Sequence, residues 1–216
     1  MLRRTPSPMR FLPRASLLLW LALGAPSLLS AATYQVDSAR SKVEILVIRG
    51  GLLGFLGHDH EIVSCKLTGT IDYSPSSTAS LGADVSLPAN SLTVVDPQVP
   101  PEERREVQST MRGEQVLDTA RYPEIHFTST GTSPTRDPTQ VLVSGDLSLH
   151  GMVKKIAFPV RFLPSPGTIR VAGTAKVLQT DFGIQPIRIA GGTVRIKNLV
   201  EVHFTLTARG GPDGAR

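Results

Sequence analysis

Apolar and polar residues alternate with a period of two along short windows through most of the chain, and this alternation constrains the fold more than any other feature. Val43, Ile45 and Val47 share one phase, and Leu67, Ile71 and Tyr73 share another. The same alternation runs through Leu81, Ala83, Val85 and Leu87, through Val141, Val143, Leu147 and Leu149, and through Ile156, Phe158, Val160 and Phe162. It returns at Val194 and Ile196 and at Val200, Val202, Phe204 and Leu206. Side chains two apart on an extended chain project to one face, so each window reads as a strand with a dry side and a wet side. Turn residues separate the windows: Ser74-Pro75-Ser76-Ser77, Ser133-Pro134, Asp137-Pro138, Pro164-Ser165-Pro166-Gly167 and Gly191-Gly192. Many short strands at such spacing predict an all-β sandwich or barrel.

One stretch departs from the pattern. Pro100-Pro101-Glu102-Glu103 precedes a run of good helix formers from Arg104 to Leu117. Proline in the first turn and carboxylates near the positive end of the helix dipole both favour a helix here. A short helix is predicted near residues 101–117, with Val107 and Met111 facing the sheet and Gly113 ending or kinking it.

The first 32 residues have a different composition. Arg3, Arg4, Arg10 and Arg14 are followed by the apolar run from Leu17 to Leu23 and then by Ser30-Ala31-Ala32. That order is that of a secretory signal peptide, with cleavage expected after Ala32. A retained membrane helix would need about 20 apolar residues, and Gly24, Pro26 and Ser27 interrupt this run earlier. The leader holds four of the 23 Lys+Arg and none of the 18 Asp+Glu, so the net charge of +5 falls almost to balance without it. No basic stripe interleaved with aromatics suggests nucleic acid. The remaining ~184 residues suit a single domain, expected over 33–208 with a disordered tail at 209–216 and a periplasmic or secreted location. Cys65, the single cysteine, forms no internal disulfide and is read as a buried, inert thiol.

Several segments together resemble the YceI-like proteins of bacteria, a lipocalin-like group associated with polyisoprenoid binding. They are Tyr34-Gln35-Val36-Asp37, Ser41-Lys42-Val43, Gly69-Thr70-Ile71-Asp72 and Ala89-Asn90-Ser91-Leu92, then Arg121-Tyr122-Pro123-Glu124-Ile125-His126-Phe127-Thr128-Ser129. The segment from Val143 to Lys154, with Leu149-His150-Gly151, and Thr180-Asp181-Phe182-Gly183-Ile184 complete them. The resemblance implies an extended antiparallel barrel of about eight strands, just wide enough for one ligand, with an apolar lumen that holds an isoprenoid chain. Two places depart from the family pattern. Arg40-Ser41 stands where a His-Ser pair is usual, and prolines with Arg104-Arg105 replace an Arg-Asp-x-His-Leu segment.

On this reading the lumen is lined by Val43, Ile45, Val47, Phe55, Leu67, Ile71, Val85, Leu87, Phe127, Val143, Leu147, Phe158 and Phe182, although periodicity alone leaves open which phase faces inward. The expected ligand is an isoprenoid or similar amphiphilic lipid, with no cofactor and no nucleic acid. Whether the barrel pairs with a second copy is left open. The Gly-rich, apolar segment from Gly50 to Gly57 reads as a turn at the mouth that suits lipid entry. His126, His150 and His203 fall in the polar phase of their windows and read as outward-facing.

Two rivals compete with a carrier. His58 and His60, one residue apart beside Asp59 and Glu61, suggest a metal-binding or stress-response protein, but a structural metal site needs about four ligands. An enzyme is the other rival. The chain carries no nucleophile elbow, phosphate-cradling loop or recognisable carboxylate pair, so a binding protein is expected.

Overall fold

The computed structural model describes residues 32–50, 59–74, 77–189 and 194–210. The strands are β1 (Ala32–Val36), β2 (Lys42–Val47), β3 (Arg49–Gly50), β4 (His60–Ser64), β5 (Thr68–Ser74), β6 (Ser77–Pro88) and β7 (Thr93–Val94). After helix α1 (Pro101–Arg112) come β8 (Glu124–Pro134), β9 (Gln140–Leu149), β10 (Met152–Ser165), β11 (Thr168–Leu178), β12 (Arg188–Ile189), β13 (Val194–Ile196) and β14 (Leu199–Gly210). β1, β5, β6, β8, β9, β10, β11 and β14 pair in that order, and β14 returns to β1 with Tyr34 opposite Gly210. The result is the expected closed, eight-stranded antiparallel barrel. Closure leaves no open edge along this circuit.

β1 and β2 are two halves of one bent strand. Asp37 caps a short 3-10 turn, Ser38–Arg40, by accepting from the Ala39 N–H, and its carboxylate also pairs with Arg209 at 2.5 Å. Before the bend the chain pairs with β5, and after it β2 pairs with β4, which pairs with β7. β7 would therefore be a free edge. Helix α1 covers it: Gln108 accepts from the Val94 N–H at 2.8 Å and donates to the Leu92 carbonyl at 3.0 Å, as another strand would.

α1 stops at Arg112, at the Gly113 expected to end or kink it and short of Leu117, where the predicted helical stretch ends. The Gly113 N–H closes the last turn onto Ser109 and Thr110, and the chain then folds back so that Leu117 N–H reaches the Met111 carbonyl. Asp118 takes a left-handed conformation, φ 43°. This reversal carries Val116 and Leu117 over the barrel.

Three further expectations change. β11 was not among the predicted strands, because Ala172-Gly173-Thr174 weakens the alternation of Ile169, Val171, Ala175 and Val177. Cys65 is exposed in the β4–β5 turn rather than buried in a strand. β14 continues through Arg209 and Gly210, with Arg209 opposite Gln35 and Thr168; residues 211–216 lie outside the described residues.

Candidate ligand cavity

The inward phases of the strands converge on a cavity of about 250 Å³. Val43, Ile45 and Val47 of β2 line it with Leu67 just before β5, Ile71 of β5, Val85 and Leu87 of β6, and Phe127 of β8. Val143 and Leu147 of β9 and Phe158 of β10 complete the part of the wall that was named from the sequence. Phe182 is buried at 1% exposure but packs in the 3-10 turn Gln179–Phe182, outside the cavity lining. Strand phase does not apply in that turn. Phe55 lies outside the described residues, as do Gly51–Gly57 of the expected mouth loop.

More of the wall comes from residues that sequence reading did not assign to it: Ile156 and Val160 of β10, Val171, Ala175 and Val177 of β11, and Val200, Val202 and Phe204 of β14. For β10 and β14 the signal was present, since these residues hold the alternating phase already read as strands. Met111, Val116 and Leu117 close part of one end from the helix and its reversal. Of all the described lining residues only Ser86 and Gln179 are polar, and none is ionisable. Burying a charge without a partner is costly, so this wall favours hydrocarbon.

Aromatic rings shape the interior. Phe158 lies between Phe127 and Phe204, with ring centroids 5.3 and 5.5 Å away. Two glycines in the inward phase make room for these rings. A Cβ at Gly145 would sit 2.4 Å from the Phe127 ring, and one at Gly173 would sit 2.7 Å from the Phe204 ring.

The two ends of the barrel differ. At one, Tyr73 and Phe162 meet with centroids 5.6 Å apart, and Ile169 and Ala208 are fully buried, so the described residues there pack tightly. At the other, the described lining reaches the strand ends at Val47, Leu149 and Gln179, and we call this end the mouth.

Polar groups gather around the mouth. His60 hydrogen-bonds through Nδ1 to Asp96 Oδ2 at 2.6 Å, and Asp96 Oδ1 accepts the Glu61 N–H at 2.6 Å. Arg104, where the family pattern is altered, donates to the Asp96 carbonyl at 3.2 Å. Asp96, only 4% exposed, was not singled out in the sequence, and nothing local marks it. His58 lies outside the described residues. Among the described residues no three His, Cys, Asp or Glu side chains cluster as metal ligands would.

The two most distinctive sequence segments meet here. His150 and Gly151 form the two-residue β9–β10 turn, both with positive φ, at 50° and 72°. A Cβ on Gly151 would lie 2.4 Å from the Tyr122 ring, which packs edge-on against His150. His150 Nδ1–H donates to the Phe182 carbonyl at 3.0 Å, which ties the hairpin to the 3-10 turn. These residues have architectural work at the rim. His126 and His203 are hydrogen-bonded to Asp84 and Thr174, at 3.0 and 2.9 Å.

The sequence matches the YceI-like domain over residues 34–208. No curated protein matches it. Among solved structures, BcnA of Burkholderia cenocepacia is similar with a TM-score of 0.64 at 19% identity, over 80% of this chain and 99% of that one. The YCEI protein of Campylobacter jejuni is similar with a TM-score of 0.52 at 16% identity, over 66% of this chain and 80% of that one. At such identities the structural likeness concerns the fold alone, but the domain match extends from the first strand of the barrel to the last. The chain belongs to the YceI-like family.

Proposed function

We propose that the protein is an exported carrier that takes the hydrocarbon tail of an isoprenoid or similar amphiphilic lipid into its barrel. The observation that carries this reading is the apolar cavity wall, with no ionisable group among its described residues. Each 100 Å² of tail removed from water contributes about 2.5 kcal/mol gross, before ordering costs are subtracted. A catalytic reading has less support, because a reaction centre needs polar groups aimed at the reacting atoms and this wall offers Ser86 and Gln179. Export rests on the leader-like order of residues 1–32.

Mass spectrometry of lipid extracted from the folded, purified protein tests the reading. A long-chain isoprenoid or comparable amphiphile, near one per barrel, is expected. Protein purified from cells rich in such lipids that yields none would overturn it.

A further inference from the structure

At the mouth the outer surface changes character. β12, β13 and β3 form a separate ladder in which Arg188 stands directly opposite Arg195, and Arg195 opposite Gly50. Lys197 continues the ladder through its N–H bond to the Ile48 carbonyl at 2.8 Å. Residues two apart share a face, so Lys197 lies in the same row as Arg195. Its side chain crosses Gly50, 3.2 Å from where a Cβ would stand. The row therefore presents Arg188, Arg195 and Lys197 together, and all three are exposed.

Three other cations near this rim are ion-paired, Arg49 with Asp59, Lys155 with Asp146 and Lys176 with Glu201, while Lys154, beside Met152 and Val153, is exposed and, among the described residues, adds to the unpaired charge. Arg188, Arg195 and Lys197 enter no ion pair among the described residues. Like charges directly opposite on a ladder destabilise it, so an anionic partner would relieve this arrangement.

Grease adjoins the charge. Leu178 and Leu199 are directly opposite each other on β11 and β14, at 41% and 38% exposure. Met152 and Val153 open β10 at 38% and 62%. The turn Gln179–Phe182 joins these groups: Gln179 donates to the Lys197 carbonyl at 2.9 Å, and Phe182 accepts from His150 beside Met152. Asp181 is the carboxylate on that turn. Leu163, the remaining exposed large hydrophobic among the described residues, sits at the opposite end of the barrel.

We infer that this lip docks on an anionic phospholipid surface, with the three cations against head groups and the leucines and Met152 in the interfacial layer. Basic residues near such a surface are worth about five-fold in partition each, and adjoining apolar side chains add to that. Docking would turn the mouth toward the bilayer; that consequence rests on the lipid-carrier reading, whereas the docking itself does not.

The test is flotation of the protein, purified in the form its host leaves it, with vesicles of phosphatidylcholine alone or with added phosphatidylglycerol. Wild type is expected to float with the anionic vesicles, to stay behind with the neutral ones, and to be released by salt. Arg188→Gln, Arg195→Gln and Lys197→Gln combined should weaken anionic partition on the order of 100-fold. Lys155→Gln with Lys176→Gln, which removes cations already paired, should change it by no more than a few-fold. Equal flotation with both vesicle types, no effect of salt, or a folded triple variant that floats like wild type would overturn the inference. Capture by polyglutamate without binding to anionic vesicles would also overturn it, in favour of an acidic protein partner. The salt series on wild type needs no variant to fold. Absence of extractable lipid in the barrel alongside salt-sensitive flotation would sink the carrier reading and leave the docking intact.

Discussion

Phe127 and Phe204 pack over Gly145 and Gly173, in space that a side chain at either glycine would fill. A methyl group at Gly145 would meet the Phe127 ring at 2.4 Å and the Thr128 carbonyl oxygen at 2.5 Å, and backbone cannot swing away as a side-chain tip can. Gly145→Ala is expected to destabilise the fold by about 1–3 kcal/mol through overpacking. Gly131→Ala, with nothing within 4 Å of the new atom, should stay within about 0.5 kcal/mol. Urea melts of the two variants check the contrast. A second residue-scale expectation concerns acid. The hydrogen bond from His126, with help from Thr128, holds the Asp84 carboxyl below its ordinary 3.8. A carboxyl that is more acidic folded than unfolded stabilises the fold above the unfolded value and loses that contribution as pH falls through the folded one. Wild type should therefore lose a little stability below about pH 4 that Asp84→Asn does not, and the difference should stay under about 1 kcal/mol at so exposed a pair. Thermal melts of both from about pH 5 to about pH 2, across the carboxylate range, read it.

Among the elements, α1 acts as a clamp on an otherwise unpaired edge. Gln108→Ala removes both side-chain hydrogen bonds to the edge segment, to the Val94 N–H and the Leu92 carbonyl. The loss is expected to cost about 1–3 kcal/mol. Hydrogen exchange should show it locally, with the Val94 amide exchanging faster while that of Phe127, deep in the β8 pairing, is unchanged. Equal exchange at Val94 in variant and wild type would mean that the helix only lies over the edge. The strands and their phases were legible from sequence because a barrel wall, wet outside and dry inside, imposes a period of two on each of them. β11 escaped because Ala172, Gly173 and Thr174 blur its phase, and Gly173 is there to accommodate Phe204 on the neighbouring strand. The bend between β1 and β2 was not legible, because it is held by Asp37 with Arg209, far apart in sequence. The exposure of Cys65 was missed because its window read as strand, whereas it lies in the short β4–β5 turn. The end of α1 was marked by Gly113, but the reversal after it was not. Of the cavity, periodicity grouped the residues that share a face but left open which face turns inward, and it gave no signal for the contribution of Val116 and Leu117.

At the scale of the molecule, the closed circuit of eight strands and a continuous apolar interior account for the fold without any metal. A chelator is therefore expected to leave the melting temperature unchanged; a large drop restored by zinc would instead support a site involving His60. The central claim is that the dry cavity holds a lipid tail, and charge placed within it addresses that claim directly. Val143 on β9 and Val202 on β14 both line the cavity and are separated by two strands, so carboxylates there would not crowd each other. In an empty cavity water can hydrate the added groups, whereas a bound hydrocarbon chain would strand them at a cost of several kcal/mol. The decisive measurement is the yield of extracted lipid from Val143→Asp/Val202→Asp and wild type, each paired with a melting curve. The double variant is expected to fold and to lose its lipid, and a folded double variant that carries lipid at the wild-type yield would contradict the account.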